Sequence, residues 1–391
     1  MWLRKAVAYR LDGSAFLEAL LPLIVLSGLS ENNSLSQSDS YMDDGKILIV
    51  KGPEVVSLLA GREHDLIDQV RMAYEIHAGG ESSLPHTTFL NFPDRPRDRI
   101  TALPAYLGGE NRIVGIKWVA SFPGNLAMKF DRASAVVILN SPETGRPTAI
   151  LEGSVISAKR TAASAALAAQ QLCLDGQSSR LGVVGCGLIN FEVVRFLTSL
   201  WPTPRTIIAF DLDLARATRF QQKCRELSPG IELEISPDVQ TVLSKASLIS
   251  LATTASQPHI SDLAECAPGS VILHVSLRDL SPQVILASDN IVDDLDHVCR
   301  AQTSIHLAEQ LVGHRNFVRC NLAEILLGKA TVKRNPRDVT IFSPFGLGIL
   351  DIAVSQFVYE LAIKEGRGTS IDSFLPDPWD QKIEESMPAG L

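Results

Sequence analysis

Four basic side chains stand singly in apolar surroundings: Arg99 ahead of ITALP, Lys117 inside GIKWV, Arg132 ahead of ASAVVIL and Arg160 within SAKRTAASA. A cation beside a buried strand needs a partner, because taking it out of water is costly. Each of the four implies either an internal acid, with Glu152, Asp131 and Asp98 at hand, or an anionic ligand. Arginine offers a planar fork that suits two-point binding of a carboxylate. The Ala-rich run predicts a helix over 157–172, which puts Arg160 in its first turn. A cation there opposes the macrodipole unless a carboxylate lies close, and a ligand carboxylate would serve.

A second constellation lies downstream. In LGVVGCGLIN an apolar run enters Gly185-Cys186-Gly187, and the helical residues Leu188 and Ile189 follow at once. Two glycines between a strand and a helix let backbone approach a pyrophosphate, which then sits on the helix's positive end. TIIAFD places Asp211 at the end of the next strand, where its carboxylate accepts from ribose hydroxyls and repels a 2′-phosphate. No arginine immediately follows it, so NAD is expected rather than NADP. Asn190 stands where the fingerprint's third glycine belongs, which predicts a helix slightly further from the strand. Thr253 and Thr254 end SLISLATT, where a fourth strand would face the cofactor; they read equally well as loop hydroxyls.

These residues need elements to hold them. KILIV reads as a strand and DLIDQVRMAYEIHAGG as a helix ended by glycines. RITALPAYLGG, NRIVGIKWVASF and ASAVVILNSPETGRPTAILEG are β-branched runs parted by turn residues, the pattern of a mostly antiparallel sheet with a hairpin at SPETGRP. From Arg180 short apolar runs alternate with helices, as in a doubly wound parallel sheet whose strands include SLISLAT, SVILHVS and DNIVDD. After about residue 330 the alternation stops. TIFSPFGLGILDIAVSQFVYELAIKEG then reads as a strand, a glycine turn and a long amphipathic helix returning to the first domain.

Composition limits the rest. A chain of 391 residues suits two domains, and 46% hydrophobic with 20% charged residues describes an ordinary globular protein. The formal charge of −8 argues against a nucleic-acid-tracking surface, which needs a basic face. Six scattered cysteines form no CxxC pair and no metal-ligand cluster, so reduced thiols, no metal and a cytoplasmic setting are expected. The run Ala19–Leu26 is too short to span a bilayer, which takes roughly 20 apolar residues, and Asp12 and Glu18 spoil it as a targeting signal. No membrane partner is expected. SENNSLSQSDSYMDDG reads as a flexible linker, with Met42 a candidate start.

GIKWVASFPGN, then ASAVVILNSPETGRPTAILEGSVISAKRTAASAALAA, then LGVVGCG resemble the ornithine cyclodeaminase/mu-crystallin family, over about residues 46 to 375. The resemblance implies an α/β fold: a Rossmann doubly wound parallel sheet plus a discontinuous α+β substrate and dimerisation domain. On that plan 1–45 is a flexible extension, 46–170 and 331–391 form the substrate and dimerisation domain, and 171–330 binds NAD. It also implies a homodimer in which Lys117 and Arg160 bind a substrate carboxylate, with Arg99 and Arg132 further cations, and in which Gly185, Gly187 and Asp211 bind the dinucleotide. DRITALPAYLGGE, NSPETGRP, VGCGLI and SLRDLSPQVI look most like family members that oxidise N-(2-amino-2-carboxyethyl)-L-glutamate with NAD to 2-oxoglutarate and 2,3-diaminopropionate, for siderophores and peptide antibiotics. The cyclodeaminase segment Gly-Gly-Asp-Cys-Pro-Gly-Lys is replaced here by HVSLRDLSP, which argues against ornithine cyclisation. Asp279 takes a comparable place, as a general base, an ammonium anchor or a helix N-cap ahead of LSPQV; it and Lys117 are the expected catalytic pair. His86 lies near a position where the family often has a basic residue, and reads also as a surface loop histidine. Imine reductase, amino-acid dehydrogenase, cyclodeaminase and non-catalytic dinucleotide binding stand as alternatives.

Overall fold

The computed structural model describes residues 45–173, 180–201, 206–332, 335–376 and 379, so the expected N-terminal extension with its apolar run and Met42 lies outside the described residues. The β-branched runs form β1 (Ile47–Val50), β2 (Ser82–Ser83), β3 (Thr88–Phe92), β4 (Arg95–Leu107), β5 (Ile113–Ser121), β6 (Ala133–Asn140) and β7 (Pro147–Glu152). From β3 to β7 each strand pairs antiparallel with the next, and SPETGRP turns the β6–β7 hairpin as expected. β1 joins β7 in parallel. The two-residue period of a strand decides where Lys117 goes: Ile113, Gly115 and Lys117 fall on the buried face of β5, whereas Trp118 faces out.

The helix after β7 runs Gly153–Leu172, four residues earlier than its alanines suggest. Glu152 causes this, because its carboxylate accepts from the Ser154 amide at 2.7 Å and the Val155 amide at 3.1 Å and caps the helix. Arg160 therefore sits two turns in, and the macrodipole reasoning for a nearby carboxylate fails. Alanines 162, 163, 165, 166, 168 and 169 are all buried, since their small side chains admit neighbours on every side of the helix.

The second sheet holds β8 (Arg180–Val184), β9 (Thr206–Phe210), β10 (Glu232–Ile235), β11 (Leu248–Leu251), β12 (Val271–His274), β13 (Asp289–Val292), β14 (Val318–Asn321) and β15 (Thr340–Ser343). All pairs are parallel, in the order β10-β9-β8-β11-β12-β15-β13-β14. The order reverses between β8 and β11, the place where a doubly wound sheet opens a crevice at its carboxyl ends.

β15 corrects the expected course of the chain. Residues 340–343, read as part of the tail that rejoins the first domain, form instead a fully buried strand between β12 and β13. An apolar run buried on both faces belongs in a parallel sheet. The helix after it, Gly348–Lys364, does pack on β4, β5 and β6 of the first sheet. Its first half is buried on all sides rather than amphipathic, because it also lies against the Glu63–Ala78 and Gly153–Leu172 helices. β16 (Thr369–Ile371) closes the first sheet, antiparallel to β1. Two connections thus link the sheets, the Ala-rich helix and the β15-to-helix return, and both carry residues of the site. Among the described residues no cysteines are bonded, no His/Cys/Asp/Glu group could hold a metal, and no helix is long and apolar enough to cross a membrane.

Candidate active site

At the glycine turn the backbone does what a dinucleotide requires. Gly185 has φ +90°, and a Cβ there would meet the Ala252 carbonyl oxygen at 2.5 Å, so only glycine fits where β8 passes the end of β11. Gly187, at the N-cap of the Leu188–Leu200 helix, has open space where a side chain would stand. Leu188 is exposed and Ile189 half-buried beside it. Asn190 does not hold the helix away from the strand. It is buried and ties the two together, its amide donating to Gly185 at 2.7 Å and Val184 at 2.9 Å while its oxygen accepts from Ser250 at 2.6 Å.

Asp211 ends β9 next to this turn. One carboxylate oxygen accepts from the Cys186 amide at 2.8 Å, and the other from the Asp213 amide at 2.9 Å and Arg216 Nη1 at 3.3 Å. A carboxylate has about four acceptor positions, so one remains for a ribose hydroxyl. These residues fit a dinucleotide, with Gly185, Gly187, Leu188 and Ile189 toward the phosphates and Asp211 toward the ribose. Arg216, not adjacent in sequence to Asp211, is the arginine that sequence order hides. Asp211→Asn keeps an acceptor for Cys186, removes the charge that repels a 2′-phosphate and releases Arg216. We expect the preference for NAD over NADP to fall by about 10- to 100-fold, the equivalent of ~1.5–3 kcal/mol for a hydrogen bond to a charged group. Fluorescence titration with both reduced cofactors checks this; an unchanged ratio removes Asp211 from the ribose.

Two of the four expected cations meet a carboxylate that none of the sequence candidates supplies. Asp351, from the Gly348–Lys364 helix, reaches Lys117 Nζ at 2.7 Å and Arg160 Nε at 2.8 Å, and all three residues are buried. Ser157 accepts a further bond from Lys117 at 3.1 Å. Of the acids expected as partners, Glu152 caps its helix and Asp98 lies 3.7 Å from Arg95. Lys117 is pushed down to about 8 by burial and the Arg160 charge, against which Asp351 pulls back only in part. Arg160 gives Asp351 its Nε, and its two Nη groups have no protein hydrogen-bond partner among the described residues. They lie against Gly346 in the turn after β15, where a Cβ would stand 2.8 Å from Nη1.

Arg99 on β4 and Arg132 just ahead of β6 are half-buried on either side of β5. Arg99 stands opposite Ser121 in the β4–β5 ladder, and Arg132 donates to Ser121 Oγ at 3.0 Å. Among the described residues no carboxylate pairs with either. Burial pushes both guanidiniums down, and the Arg99 charge lowers Arg132 further.

Asp279 stands at the carboxyl end of β12 and does not cap the helix that follows. It is fully buried and accepts from Thr253, Ser276 and, at 3.0 Å, His259 Nε2, while its own amide donates to His274 at 3.2 Å. Burial pushes its carboxyl up, yet the bonds from His259, His274 and Ser276 prevail and hold it well below the usual carboxylate range. A carboxylate so held has little basicity left; its geometry is that of an anchor joining the ends of β11 and β12. The helix ahead of it is capped by Ser281 instead. Thr253 thus serves Asp279, whereas Thr254 is exposed.

His86 is exposed in the loop before β3, the surface loop position expected of it, and its ring packs edge to face on His297 with centroids 5.7 Å apart. His297 Nδ1 lies 2.8 Å from Asp294, whose other oxygen meets His77 at 3.1 Å. The preceding Asp293 accepts from Phe345 and Gly346, which joins this cluster to the turn beside Arg160.

A model of the ornithine cyclodeaminase/mu-crystallin family matches residues 53–366. The chain is 28% identical to the N-((2S)-2-amino-2-carboxyethyl)-L-glutamate dehydrogenase of Staphylococcus aureus, over 81% of this chain and 96% of that one. An archaeal alanine dehydrogenase dimer with bound NAD has a TM-score of 0.74 at 27% identity, covering 83% of this chain and 99% of the other. The Δ1-pyrroline-2-carboxylate reductase of Thermococcus litoralis, in complex with NADH and L-proline, has a TM-score of 0.76 at 24% identity, over 83% and 100% of the two chains, a likeness of fold. The family match spans both the glycine turn and the contact of Lys117 and Arg160 with Asp351, and this chain is a member of the ornithine cyclodeaminase/mu-crystallin family.

Proposed function

We propose that this chain oxidises N-(2-amino-2-carboxyethyl)-L-glutamate with NAD, releasing 2-oxoglutarate and L-2,3-diaminopropionate for siderophore or peptide-antibiotic assembly. As a member of this family it is an NAD-dependent oxidoreductase acting on the CH–NH group of an amino-acid substrate. The observation that carries the finer reading is the excess of cations. Lys117 and Arg160 share one carboxylate, and Arg99 and Arg132 have none. A substrate with one carboxylate would leave most of that charge unmatched, whereas three carboxylates balance it.

When bound, NAD supplies the acceptor for hydride from the carbon next to the secondary amine. The side chains of the site bind, orient and move the proton. Arg160 offers its unpartnered Nη pair to a substrate carboxylate as a fork. Lys117, neutral above about 8, takes the amine proton. Asp351 fixes both cations in place, and Arg99 and Arg132 receive the distal carboxylates. Asp279 is a positioning residue in this scheme. Water then adds to the carbon of the resulting C=N bond and the C–N bond breaks, giving the keto acid and the diamino acid.

A second copy of the chain is proposed to cover the outer face of the first sheet, where Leu90, Trp118, Leu126, Met128 and Phe130 stand exposed. The test is a substrate panel with NAD: the tricarboxylate amine, alanine, proline and ornithine, followed by NADH absorbance and mass spectrometry, with the enzyme's mass taken by sedimentation. The expected result is NADH and 2-oxoglutarate from the first compound alone, made by a protein of two chains. Equal turnover of alanine or proline would overturn the substrate, and a monomer the partner.

A further inference from the structure

Beyond the carboxyl end of β13 stand Asp293 and Asp294, and His297 lies in the short helix Leu295–Val298 that follows. His297 is buried, with Nδ1 2.8 Å from one oxygen of Asp294. The other oxygen meets His77 Nε2 at 3.1 Å, and His77 Nδ1 lies 2.7 Å from Ser82 Oγ, so the first domain helps to fix this carboxylate. Burial pushes the Asp294 carboxyl up, yet the bonds from His297 and His77 prevail and hold it well below the usual carboxylate range. An ionised carboxylate only accepts, so His297 carries its hydrogen on Nδ1 and keeps a lone pair on Nε2. That Nε2 is buried and has no hydrogen-bond partner among the described residues. A buried polar atom left without a partner calls for an explanation, and a ligand or water that arrives with the reaction is one.

Its place is beside the fork of Arg160. The His297 ring lies 6.4 Å from that of Phe345, and Asp293 holds the amides of Phe345 and Gly346 at 2.8 and 2.7 Å. Gly346 is the residue against which the Arg160 guanidinium rests. The reaction needs a base there. Once Lys117 has taken the amine proton it is spent, and the water that attacks the C=N bond must lose a proton to another group. Asp351 is tied to Lys117 and Arg160, Asp279 to its own partners, and Tyr74 Oη to Ser164 at 2.7 Å. His297 still has a nitrogen to offer.

We propose that His297 is the acid–base residue of the hydrolytic step, with Asp294 as its positioning residue. This rests on the oxidative C–N cleavage proposed above. Water oxygen bonds to the carbon of the protonated C=N group, the π pair moves to nitrogen, and His297 Nε2 takes one water proton. The imidazolium returns that proton to nitrogen. The C–N bond then breaks with its electron pair on nitrogen, the hydroxyl O–H pair becomes the new C=O bond, and the hydroxyl proton ends on the released amine. Asp294 holds the ring in the tautomer this requires and stabilises the imidazolium, as a buried carboxylate does for a histidine base. The other titratable groups about the ring are Asp293, Arg300 and His86, with His77 behind Asp294.

The test is His297→Asn in the full-length protein, because asparagine keeps a donor for Asp294 and deletes the Nε2 base. NADH titration verifies its cofactor site. In single turnovers of the tricarboxylate amine with NAD, stopped flow reads NADH and quenched flow with mass spectrometry reads 2-oxoglutarate. The expected result is NADH at the wild-type rate, with 2-oxoglutarate slowed by about 10²–10⁴-fold, the usual contribution of a positioned acid–base group. Borodeuteride added during the lag should return the starting amine carrying deuterium, the mark of a C=N compound that accumulates. Release of 2-oxoglutarate at the wild-type rate would overturn the proposal, and so would equal slowing of both products, which is the mark of a packing role. Where wild type oxidises alanine and not the tricarboxylate amine, the substrate reading fails, and the same comparison with pyruvate in place of 2-oxoglutarate decides His297. Wild type that oxidises neither would overturn both. Should His297→Asn lose NADH binding, His297→Gln replaces it under the same criteria.

Discussion

Asp351→Asn is expected to destabilise the protein by about 3–5 kcal/mol, the cost of removing one partner from a buried charge pair. Asp351 has no exposed surface, and its two oxygens face Lys117 and Arg160 separately. Without the carboxylate two basic groups remain buried on either side of its place, so the loss reflects their desolvation and repulsion more than the bonds themselves. Asparagine keeps the shape of the side chain, which separates this effect from a cavity. Urea unfolding with an unchanged m-value measures it. The same site predicts a rescue. A carboxylate ligand that occupies the Nη pair of Arg160 returns the missing charge, and a ligand at about 100 times its Kd contributes ~2.7 kcal/mol by mass action. Stability of Asp351→Asn that stays within 1 kcal/mol of wild type, a limit set by the usual spread of surface substitutions (~0.5 kcal/mol), would mean that water screens these cations and that the pocket is not dry.

The part of this site that was legible in sequence is the part built from neighbours in sequence. Gly185, Gly187 and Asp211 follow from a strand entering a helix and from the end of the next strand, where spacing along the chain is spacing in the fold. Lys117 is legible for a similar reason, since a two-residue period carries it inward with Ile113 and Gly115. Asp351 is not, because it lies 191 residues from Arg160 and no local rule links them. A signal for it does exist: in GILDIAVSQ an acid interrupts a helix whose other positions are apolar, and a buried acid needs a cation. The expectation of an amphipathic helix conceals that signal by assigning Asp351 to a solvent face. Arg216 escapes for a different reason: it stands on the helix that follows Asp211, and its reach back to that carboxylate depends on the turn between them, which composition does not reveal. Asp279 shows the converse: its place at the end of β12 is as expected, but the side chains that hold its carboxyl down come from β12 itself and from the loops after β11 and β12.

Lys117→Met should lower kcat/KM for oxidation by about 10³-fold, within the range of a positioned acid–base group, and should remove a limb of the pH profile. Burial and the Arg160 charge push Lys117 down to about 8, which makes it protonated below that value and free to accept a proton above it. Oxidation must discard the amine proton, so wild-type kcat/KM should rise about tenfold per pH unit up to about 8 and then level. In the reducing direction the same group must start protonated, and the limb reverses. Methionine fills much of the space of the lysine stem without charge, so loss of rate together with loss of the limb separates a proton-transfer role from mere packing. The two substitutions are coupled through Asp351, which opposes the downward push on Lys117. Asp351→Asn, where it folds, should therefore carry its limb to lower pH than wild type, and a profile that stays in place in that variant would assign the limb to another group. Full activity in Lys117→Met with an unchanged profile would return the proton to solvent and leave Lys117 as a carboxylate ligand alone.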